Sequence, residues 1–242
     1  MTASRRVTLK SSREAIDRNP RLRNWFSPVT LSLHRKLAPL LRQRATGAFL
    51  DAGCGAMPYR PLVESAVSSY DGLDIAPRSD DTTYVCSLTD MADVPSDTYD
   101  TILCSEVLEH VDDPRAAAQE LSRVLRSEGV VIISVPFLSR LHEEPHDFQR
   151  FTEHGLRLLI AQAGLDLESI ETTGTVFSFL GHQLSSAIVL TTWRFPIIRW
   201  IAFGVNAIFV VLPSMTLDAI FSRLARKAPL GYVAVATRSL TN

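Results

Sequence analysis

A glycine turn and two acids form the part of this sequence best suited to binding a small molecule. The turn is Asp51-Ala52-Gly53-Cys54-Gly55, and Asp74 follows it nineteen positions after Gly55, at the end of a second apolar run. Glycine has no Cβ, so it lets the backbone come close to a ligand. An acid at the end of the next strand is placed to accept hydrogen bonds from ribose hydroxyls. This order and spacing predict a pocket for a nucleoside.

The same turn departs from the pattern of a dinucleotide site. A Gly-x-Gly-x-x-Gly turn seats a pyrophosphate on a helix N-terminus, but Pro58 occupies the position of its third glycine. Asp51 would repel a phosphate and attract a cation. A ligand with a ribose and positive charges but no phosphate fits better, and S-adenosylmethionine carries these groups.

A second group of reactive side chains lies at 142–150. His142, His146 and Asp147 are our candidates for catalysis, because histidine transfers protons near neutral pH and could act as a general base. Imidazole and carboxylate groups also suit a metal ion, but their spacing matches no specific site, so we expect no metal. A third interpretation is that Asp147 pairs with Arg150 and only braces the loop. We interpret His110 as a structural contact.

These motifs resemble those of the class I S-adenosylmethionine-dependent methyltransferases. Gly-Cys-Gly-x-x-Pro-Tyr-Arg at 53–60 is similar to their motif I, and the run 97–111 resembles their fourth strand and the loop after it. A related set of family members carries a similar His-x-x-Pro-x-Asp-x-x-Arg run after the fifth strand. The resemblance covers about 47–173 and a last strand near 231–237. Met57 departs from it by replacing the third glycine of the usual Gly-x-Gly-x-Gly form.

The resemblance implies a role for each residue around the cofactor. Asp51 would lie near the methionine end, the backbone of Gly53, Cys54 and Gly55 would line the nucleoside, and Asp74 would bind the ribose. The remaining implied contacts are Ile75 and Asp90 at the adenine, with Ser105 and Glu106 at the mouth of the fourth strand.

The elements that must position these residues follow from the apolar pattern. Asp113-Pro114 predicts a capped helix start, and Ser27-Pro28 predicts another. The run 129–135 is continuously apolar, as expected of a strand buried on both faces. We predict a helix over 152–163, a strand over 165–172 and a last strand over 231–237. The resemblance implies an α/β Rossmann-like fold with a seven-stranded, mostly parallel sheet and helices on both faces.

Length and composition fit one catalytic domain with additions. The chain has 242 residues, of which 46% are hydrophobic, enough for a sizeable core. Its three cysteines lack metal-ligand spacing, and the first 27 residues show no secretory signal, so we expect a cytoplasmic protein. We predict a basic N-terminal arm and helix at 1–46, a methyltransferase core at 47–173, an apolar helical insert at 174–230, and the last strand and tail at 231–242.

The charge is divided unevenly along the chain. Residues 1–46 hold eleven Lys or Arg against Glu14 and Asp17, a net charge of +9, whereas the remainder carries −10. Such an arm can bind an anionic membrane face or nucleic acid. It can also be a solvated tail that touches the acidic body. We expect no nucleic-acid partner, and peripheral association with the inner face of the membrane is the alternative to a freely cytoplasmic protein.

The insert at 174–230 is the least familiar part of the chain. Trp200–Leu212 contains no charge, but Arg199 and Pro213 bound it, and a membrane-spanning helix needs about 20 apolar residues. We therefore expect no single span. The insert could be a cap over the active site, a shallow membrane-docking element or a dimer interface, and the oligomeric state stays open. In each case we expect it to line the acceptor site and to favour a hydrophobic or lipid-linked substrate.

Together these features predict transfer of a methyl group from S-adenosylmethionine to an oxygen or nitrogen of a small or lipid-linked acceptor. The first alternative is an NAD(P)-dependent oxidoreductase, which Asp51 and the missing third glycine disfavour. The second is a catalytically silent relative that serves as a binding or membrane scaffold.

Overall fold

The computed structural model describes residues 27–192 and 195–238. The strands are β1 (Ala48–Ala52), β2 (Ser69–Leu73), β3 (Thr82–Tyr84), β4 (Tyr99–Ser105), β5 (Leu125–Pro136), β6 (Leu165–Thr173) and β7 (Gly231–Arg238). The α-helices are α1 (Pro28–Arg44), α2 (Arg60–Val63), α3 (Pro114–Val124), α4 (Glu153–Gln162), α5 (Val176–Thr192), α6 (Pro196–Asn206) and α7 (Leu212–Ile220). Short 3-10 helices span Leu108–His110 and Ser222–Arg226, and a π turn spans Ala207–Val211.

The strands form one sheet in the order β3-β2-β1-β4-β5-β7-β6. β1 to β5 run parallel, and β7 is antiparallel to both β5 and β6. This arrangement confirms the predicted fold. The strand order reverses between β1 and β4, and ligands of open α/β sheets bind at the carboxyl ends of the strands beside such a reversal.

The local signals explain why the elements begin where they do. Asp113 Oδ1 accepts a hydrogen bond from the Ala116 N–H at 3.0 Å, and Pro114 begins α3. Ser27 Oγ accepts from the Thr30 N–H at 3.1 Å at the start of α1. Both predicted helix starts are confirmed. α3 then packs its buried apolar side chains into the core against the sheet.

The fifth strand begins earlier than its apolar run predicts. We expected it to start at residue 129, but β5 begins at Leu125 and passes through a register irregularity opposite Tyr99–Thr101. Glu128 has φ = 63° within this irregular part. Residues 126–128 are polar and exposed, so the hydrophobic pattern could not show that they belong to the strand.

The chain folds as two compact units. Of the described residues, the first contains 35–173 and 229–238, and the second contains 27–34, 174–192 and 195–228. The first unit holds the whole sheet and both groups of residues predicted to do chemistry. The functional boundaries predicted at 46, 173 and 230 stay predictions.

The second unit is helical. α6, the π turn and α7 run on as one helical segment, and the part from Ile197 to Ile220 has 24 residues with a mean hydropathy of 1.8. By length and composition alone, this helix could cross a membrane. Our expectation that Pro213 would end the apolar segment is wrong. Proline lacks an N–H and crowds the preceding turn, and here the wider π turn lies directly before it, so the helix continues.

Candidate active site

The glycine turn after β1 has the backbone conformation that a close ligand contact requires. Gly53 has φ = +81° and Gly55 has φ = +52°, both in the left-handed region. The Gly53 N–H donates to the Leu73 carbonyl at 2.7 Å, which ties the turn to β2. A Cβ at Gly53 would lie 2.3 Å from Val107 Cγ2, whereas a Cβ at Gly55 would meet no atom of the described chain within 4 Å. The turn is therefore packed on one side and open at Gly55.

Met57 closes this turn in the place of a third glycine. It adopts φ = 54°, and its N–H donates to the Cys54 carbonyl at 2.7 Å. Its side chain is buried and its Cε would lie 2.5 Å from a Cβ at Gly72. The position needs a left-handed backbone, and Met57 adopts it with its side chain packed below the turn.

Cys54 contributes backbone and packing to the turn. Its N–H donates to the Leu73 carbonyl at 3.0 Å, and its side chain is buried. Burial raises the pKa of the thiol to about 12, so the sulfur is protonated at neutral pH.

Asp74 joins the ends of β1 and β2. Its Oδ2 accepts from the Gly55 N–H at 2.9 Å, and its Oδ1 accepts from the Ala76 N–H at 2.9 Å. Each carboxylate oxygen has a second lone pair, so both can also accept from ribose hydroxyls. Ile75 is 70% exposed beside it, and Asp90, also exposed, follows β3 in a short bridge with Ser87.

Asp51 places a buried carboxylate in β1 next to the turn. The Tyr70 hydroxyl donates to its Oδ2 at 2.5 Å. Burial raises the pKa of Asp51 to about 6, the Tyr70 hydrogen bond opposes the rise and the charge of Asp74 adds to it. The carboxylate is therefore mainly ionised at neutral pH, and it favours a cationic ligand.

The carboxyl ends of β4 and β5 are joined by a small polar network. Ser105 Oγ and Ser134 Oγ lie 2.9 Å apart, and the Ser134 hydroxyl donates to Glu106 Oε1 at 3.1 Å. The Glu106 N–H donates to the Ser134 carbonyl at 3.0 Å, with φ = 56° at Glu106. This places both predicted cofactor contacts, Ser105 and Glu106, at the sheet edge that also carries the glycine turn.

The loop after β5 is braced by Asp147. Both nitrogens of the Arg150 fork donate to its carboxylate, at 2.6 and 2.8 Å, and the His142 N–H donates to Oδ2 at 2.9 Å. The Arg150 guanidinium holds the pKa of Asp147 far below its usual range. A carboxylate held in this way is a poor proton acceptor, so we assign Asp147 to positioning the loop and not to catalysis.

The two histidines of this loop differ in placement. His142 is partly buried, and its Nδ1 donates to the Arg140 carbonyl at 3.1 Å. His146 is exposed, and its ring packs edge to face with the Phe148 ring, with the two ring centroids 6.0 Å apart. What His146 contributes inside the site is its carbonyl, which accepts from His110 Nδ1 at 2.7 Å.

Glu109 and His110 join this site, although the sequence did not reveal their role. His110 Nε2 lies 3.6 Å from Glu109 Oε1, and the His110 and His142 rings meet edge to face at 4.7 Å. Burial and the charge of Glu106 raise the pKa of Glu109, and burial lowers the pKa of His110. We interpreted His110 as a structural contact. Their position is the signal that the sequence offered, because Glu109 and His110 lie four and five residues after the end of β4, near the strand-order reversal.

The first unit therefore offers an adenosyl cofactor a matching set of groups. Gly55 leaves open space, Asp74 has spare lone pairs for a ribose, and Asp51 supplies an ionised carboxylate. These features fit S-adenosylmethionine, which carries a ribose and positive charges but no phosphate. The Glu109, His110 and His142 side chains lie in the same unit, where an acceptor could be deprotonated.

Comparisons with known proteins identify a methyltransferase domain in this chain. The family model described as a methyltransferase domain matches residues 29–170. A ubiquinone biosynthesis O-methyltransferase of Neisseria meningitidis is 24% identical over 173 residues, which cover 58% of this chain and 70% of that protein.

Solved structures share the fold at low sequence identity. The methyltransferase bound to the Haloferax volcanii activator Trm112 aligns with a TM-score of 0.57 at 15% identity, covering 96% of this chain and 95% of its own. A Haemonchus contortus phosphoethanolamine N-methyltransferase in complex with S-adenosyl-L-methionine aligns with a TM-score of 0.54 at 15% identity. The alignment covers 86% of this chain and 53% of that protein.

Proposed function

We propose that this chain, a member of the class I S-adenosylmethionine-dependent methyltransferases, methylates a hydroxyl oxygen of a small apolar or lipid-linked acceptor. The observation that carries the proposal is the placement of two groups in one unit. The glycine turn with Asp74 suits the cofactor, and the cluster of buried Glu109 with half-buried His110 and His142 suits an ionising acceptor. Neither the NAD(P)-dependent oxidoreductase nor the silent relative is favoured by the comparisons.

The chain's own residues hold the cofactor and set its orientation. Bound S-adenosylmethionine supplies a methyl group on a positively charged sulfur, which a nucleophile attacks in line with the leaving sulfur. Asp74 and the Gly53–Gly55 backbone would hold the nucleoside. The ionised Asp51 would favour the cationic end over a phosphate. The protein's main task is then to place the acceptor oxygen opposite the sulfur.

A hydroxyl acceptor must lose its proton as the new bond forms. A carbonyl oxygen can only accept, so the hydrogen bonds to the carbonyls of Arg140 and His146 place the protons of His142 and His110 on Nδ1. In a neutral imidazole this arrangement leaves the lone pair on Nε2. Burial keeps the pKa of His110 low, so this ring is neutral near pH 7. We assign the acceptor proton to this pair of histidines and not to His146.

An oxygen acceptor is supported by the relatives named ubiquinone biosynthesis O-methyltransferase. A lipid-linked acceptor is supported by the surface of the second unit. That surface exposes large apolar side chains, among them Ile197, Trp200, Ile201, Ile208, Phe209 and Leu212.

The second unit has an unusually apolar surface. Its buried face mixes polar side chains with apolar ones, whereas the outward side chains of α6 and α7 are largely apolar. The buried polar residues are Ser178, Ser185, Asn206, Ser214 and Asp218, and the buried apolar ones are Val189, Phe203, Val210, Val211 and Met215. A helix on the surface of a water-soluble protein shows the opposite pattern. In lipid, polar side chains join helices to one another while the outer face is apolar.

The charge of this unit matches an anionic membrane. Residues 174–228 contain five cations and one acid, and that acid, Asp218, is buried. Arg223, Arg226 and Lys227 follow the apolar segment directly and are exposed. We therefore propose that the protein is peripheral to the cytoplasmic face of a membrane, whose anionic lipids attract cations.

Calorimetric titration of the purified chain with S-adenosylmethionine, S-adenosylhomocysteine and NADH tests the cofactor. We expect both adenosyl ligands to bind and NADH not to bind. Asp74→Ala should weaken binding at least tenfold, and Asp80→Ala, an exposed acid in the same loop, should leave it unchanged. Binding of NADH alone would contradict the methyltransferase assignment.

The acceptor is tested with a donor that carries a labelled methyl group. The full chain is incubated with a lipid extract and, separately, with an aqueous metabolite extract. We expect label in the lipid extract as an ether that resists mild alkali. Label recovered only as an N-methyl product or only from the aqueous extract would overturn the proposed acceptor.

A further inference from the structure

A fully buried carboxylate in the first unit lacks a hydrogen-bond partner. Glu109 is 0% exposed, and within the described residues neither of its carboxylate oxygens accepts a hydrogen bond. Burying a carboxyl group without a hydrogen-bond partner is unfavourable, and more so when the group is ionised. Native structures rarely leave such a group unpaired, so Glu109 points to a missing positive partner.

Protonation of Glu109 alone would not satisfy it. The nearest imidazole nitrogen, His110 Nε2, lies 3.6 Å from Oε1, which is beyond hydrogen-bond distance. Glu106 adds a second negative charge near this group, and the nearby Arg150 guanidinium is already held by Asp147. A cation placed between the carboxylate and the imidazole would satisfy both groups.

The two histidines already have the outer hydrogen bonds that metal ligands usually have. His110 Nδ1 donates to the His146 carbonyl at 2.7 Å, and His142 Nδ1 donates to the Arg140 carbonyl at 3.1 Å. A ligating imidazole is typically oriented by such a bond to a backbone carbonyl, which leaves its second nitrogen for the metal. Asp147 adds a further layer, because it accepts from the His142 N–H.

We propose that Glu109, His110 and His142 bind a divalent transition-metal ion. One donor atom from each residue lies within 4.8 Å of the other two. Ligands bound at about 2.1 Å in tetrahedral geometry lie roughly 3.4 Å apart. The Glu109–His110 separation of 3.6 Å already fits that spacing. The donor atom of His142 needs a shift of at most about 1.4 Å to reach that spacing.

The ligand types indicate which metal would bind. Two imidazoles and one carboxylate suit Zn²⁺, Fe²⁺ or Co²⁺, whereas Mg²⁺ prefers oxygen ligands. Three protein ligands leave a coordination position open. With a metal bound, the Nε2 lone pairs of both histidines would be ligands and would not accept the acceptor's proton. A hydroxyl held at the open position would instead have its pKa lowered by the metal and would release its proton to solvent, and only this role of the metal depends on the proposed methylation of a hydroxyl.

The experiment uses the full chain, stripped with a chelator and titrated with Co²⁺. The visible absorption of bound Co²⁺ reports nitrogen and oxygen ligation directly, without any assay of activity. We expect one Co²⁺ per chain and displacement by Zn²⁺. His142→Ala and Glu109→Gln should weaken Co²⁺ binding by at least tenfold. His154→Ala, which removes an exposed histidine of α4, should not change it.

Binding of S-adenosylhomocysteine to each variant serves as the folding control. A variant that binds this ligand normally but has lost Co²⁺ supports the metal site. Absence of Co²⁺ absorption in the wild type, or equal binding by His142→Ala, would overturn it. Co²⁺ binding without any binding of adenosyl ligands would instead leave the metal site standing and contradict the proposed function.

Discussion

At the scale of single residues, Asp51 combines a cost in stability with a role in binding. A pKa of about 6, against an ordinary value of 3.8, corresponds to a penalty of about 3 kcal/mol for the folded state above pH 6. The folded protein binds this proton more tightly than the unfolded chain. Stability from this group therefore falls as the pH rises from about 4 to about 6 and stays low above that range.

Asp51→Asn should remove this penalty. We expect the free energy of unfolding, measured in urea at pH 8, to rise by up to about 3 kcal/mol relative to wild type. The gain should become small near pH 3, where Asp51 is mostly protonated in both states. Binding of S-adenosylmethionine should weaken because the carboxylate charge is lost.

Asp100→Asn is a control that should change the free energy of unfolding at pH 8 in the opposite direction. Burial opposes its ionisation, but the Ala48 N–H and the Arg126 guanidinium hold the pKa of Asp100 below its usual value. Asp100 therefore stabilises the fold at pH 8, and its substitution should lower the free energy of unfolding there. Equal effects of the two substitutions at pH 8 would contradict our account of Asp51.

Glu109 should show the pH dependence of a buried acid and respond to metal. In metal-free protein its raised pKa means that stability falls as the pH rises above the ordinary range of Glu. Glu109→Gln should therefore unfold at a higher temperature than wild type at pH 8 when chelator is present. Zn²⁺ should raise the melting temperature of wild type and leave that of the variant unchanged. A wild type that Zn²⁺ does not stabilise would contradict this prediction.

Single residues of the site differ in how far the sequence alone predicts their roles. Gly53, Gly55 and Asp74 were predictable because backbone freedom and strand-end acids leave a pattern along the chain. The bracing role of Asp147 was one of the interpretations left open by the sequence. The roles of Glu109 and His110 were not predictable. The burial of a carboxylate and its lack of hydrogen-bond partners depend on how the loops after β4 and β5 pack.

At the scale of elements, close helix contact in the second unit depends on Gly181. A Cβ at this position of α5 would lie 2.0 Å from Ser214 Oγ and 2.8 Å from Ser214 Cβ. Asp218, one turn further along α7, accepts from the Thr175 and Ser178 hydroxyls and from their N–H groups at 3.2 and 3.3 Å. A buried acid thus caps α5 and fixes it against α7.

Gly181→Ala should destabilise the protein by a few kcal/mol, about the cost of overpacking a tight contact. Adding Ser214→Gly should restore part of that loss, because it removes the atoms with which the new methyl group collides. Gly204→Ala is the matched control, since a Cβ there would meet no described atom within 4 Å. That change should stabilise the helix by about 0.5–1 kcal/mol. Thermal unfolding measures the stability of the two Gly→Ala variants, of Ser214→Gly and of the double variant. If the effects of Gly181→Ala and Ser214→Gly on stability were fully additive, the proposed contact would be contradicted.

Elements with strong local signals were predictable, and those controlled by packing were not. The caps at Ser27 and Asp113 act within one helical turn, so the sequence placed them correctly. Pro213 is a strong local breaker, yet the π turn before it lets the helix continue. Helix propensity depends on the proline alone. It does not include the packing of the buried side chains on α7 against α5, which holds the helix together.

At the scale of the whole molecule, the two units have surfaces of different chemistry. The sheet unit carries an ordinary arrangement, with the apolar core inside and ion pairs such as Lys36–Glu171 and Arg157–Glu153 outside. The helical unit exposes many large apolar side chains and buries several polar ones. This contrast between the surfaces of the two units is the basis of our proposal that the helical unit docks on a membrane.

Membrane association should follow from the exposed apolar face. We expect the full chain to float with vesicles containing phosphatidylglycerol and to bind vesicles of phosphatidylcholine alone more weakly, because the exposed cations contribute. Phe209 is 71% exposed, and Phe209→Glu should abolish flotation by placing a charge on the apolar face. Leu158→Glu is the matched control, because Leu158 is 59% exposed on α4 of the sheet unit, and it should float like wild type.

Light scattering of the same proteins without vesicles distinguishes membrane docking from self-association. If the apolar face docks on lipid, the detergent-solubilised wild type and Phe209→Glu should both be monomers. A stable wild-type dimer that Phe209→Glu dissociates, combined with no flotation of wild type, would assign the face to a second copy and contradict the membrane proposal. Raising the salt concentration should weaken flotation without eliminating it, since salt screens the cations but leaves burial of apolar side chains intact.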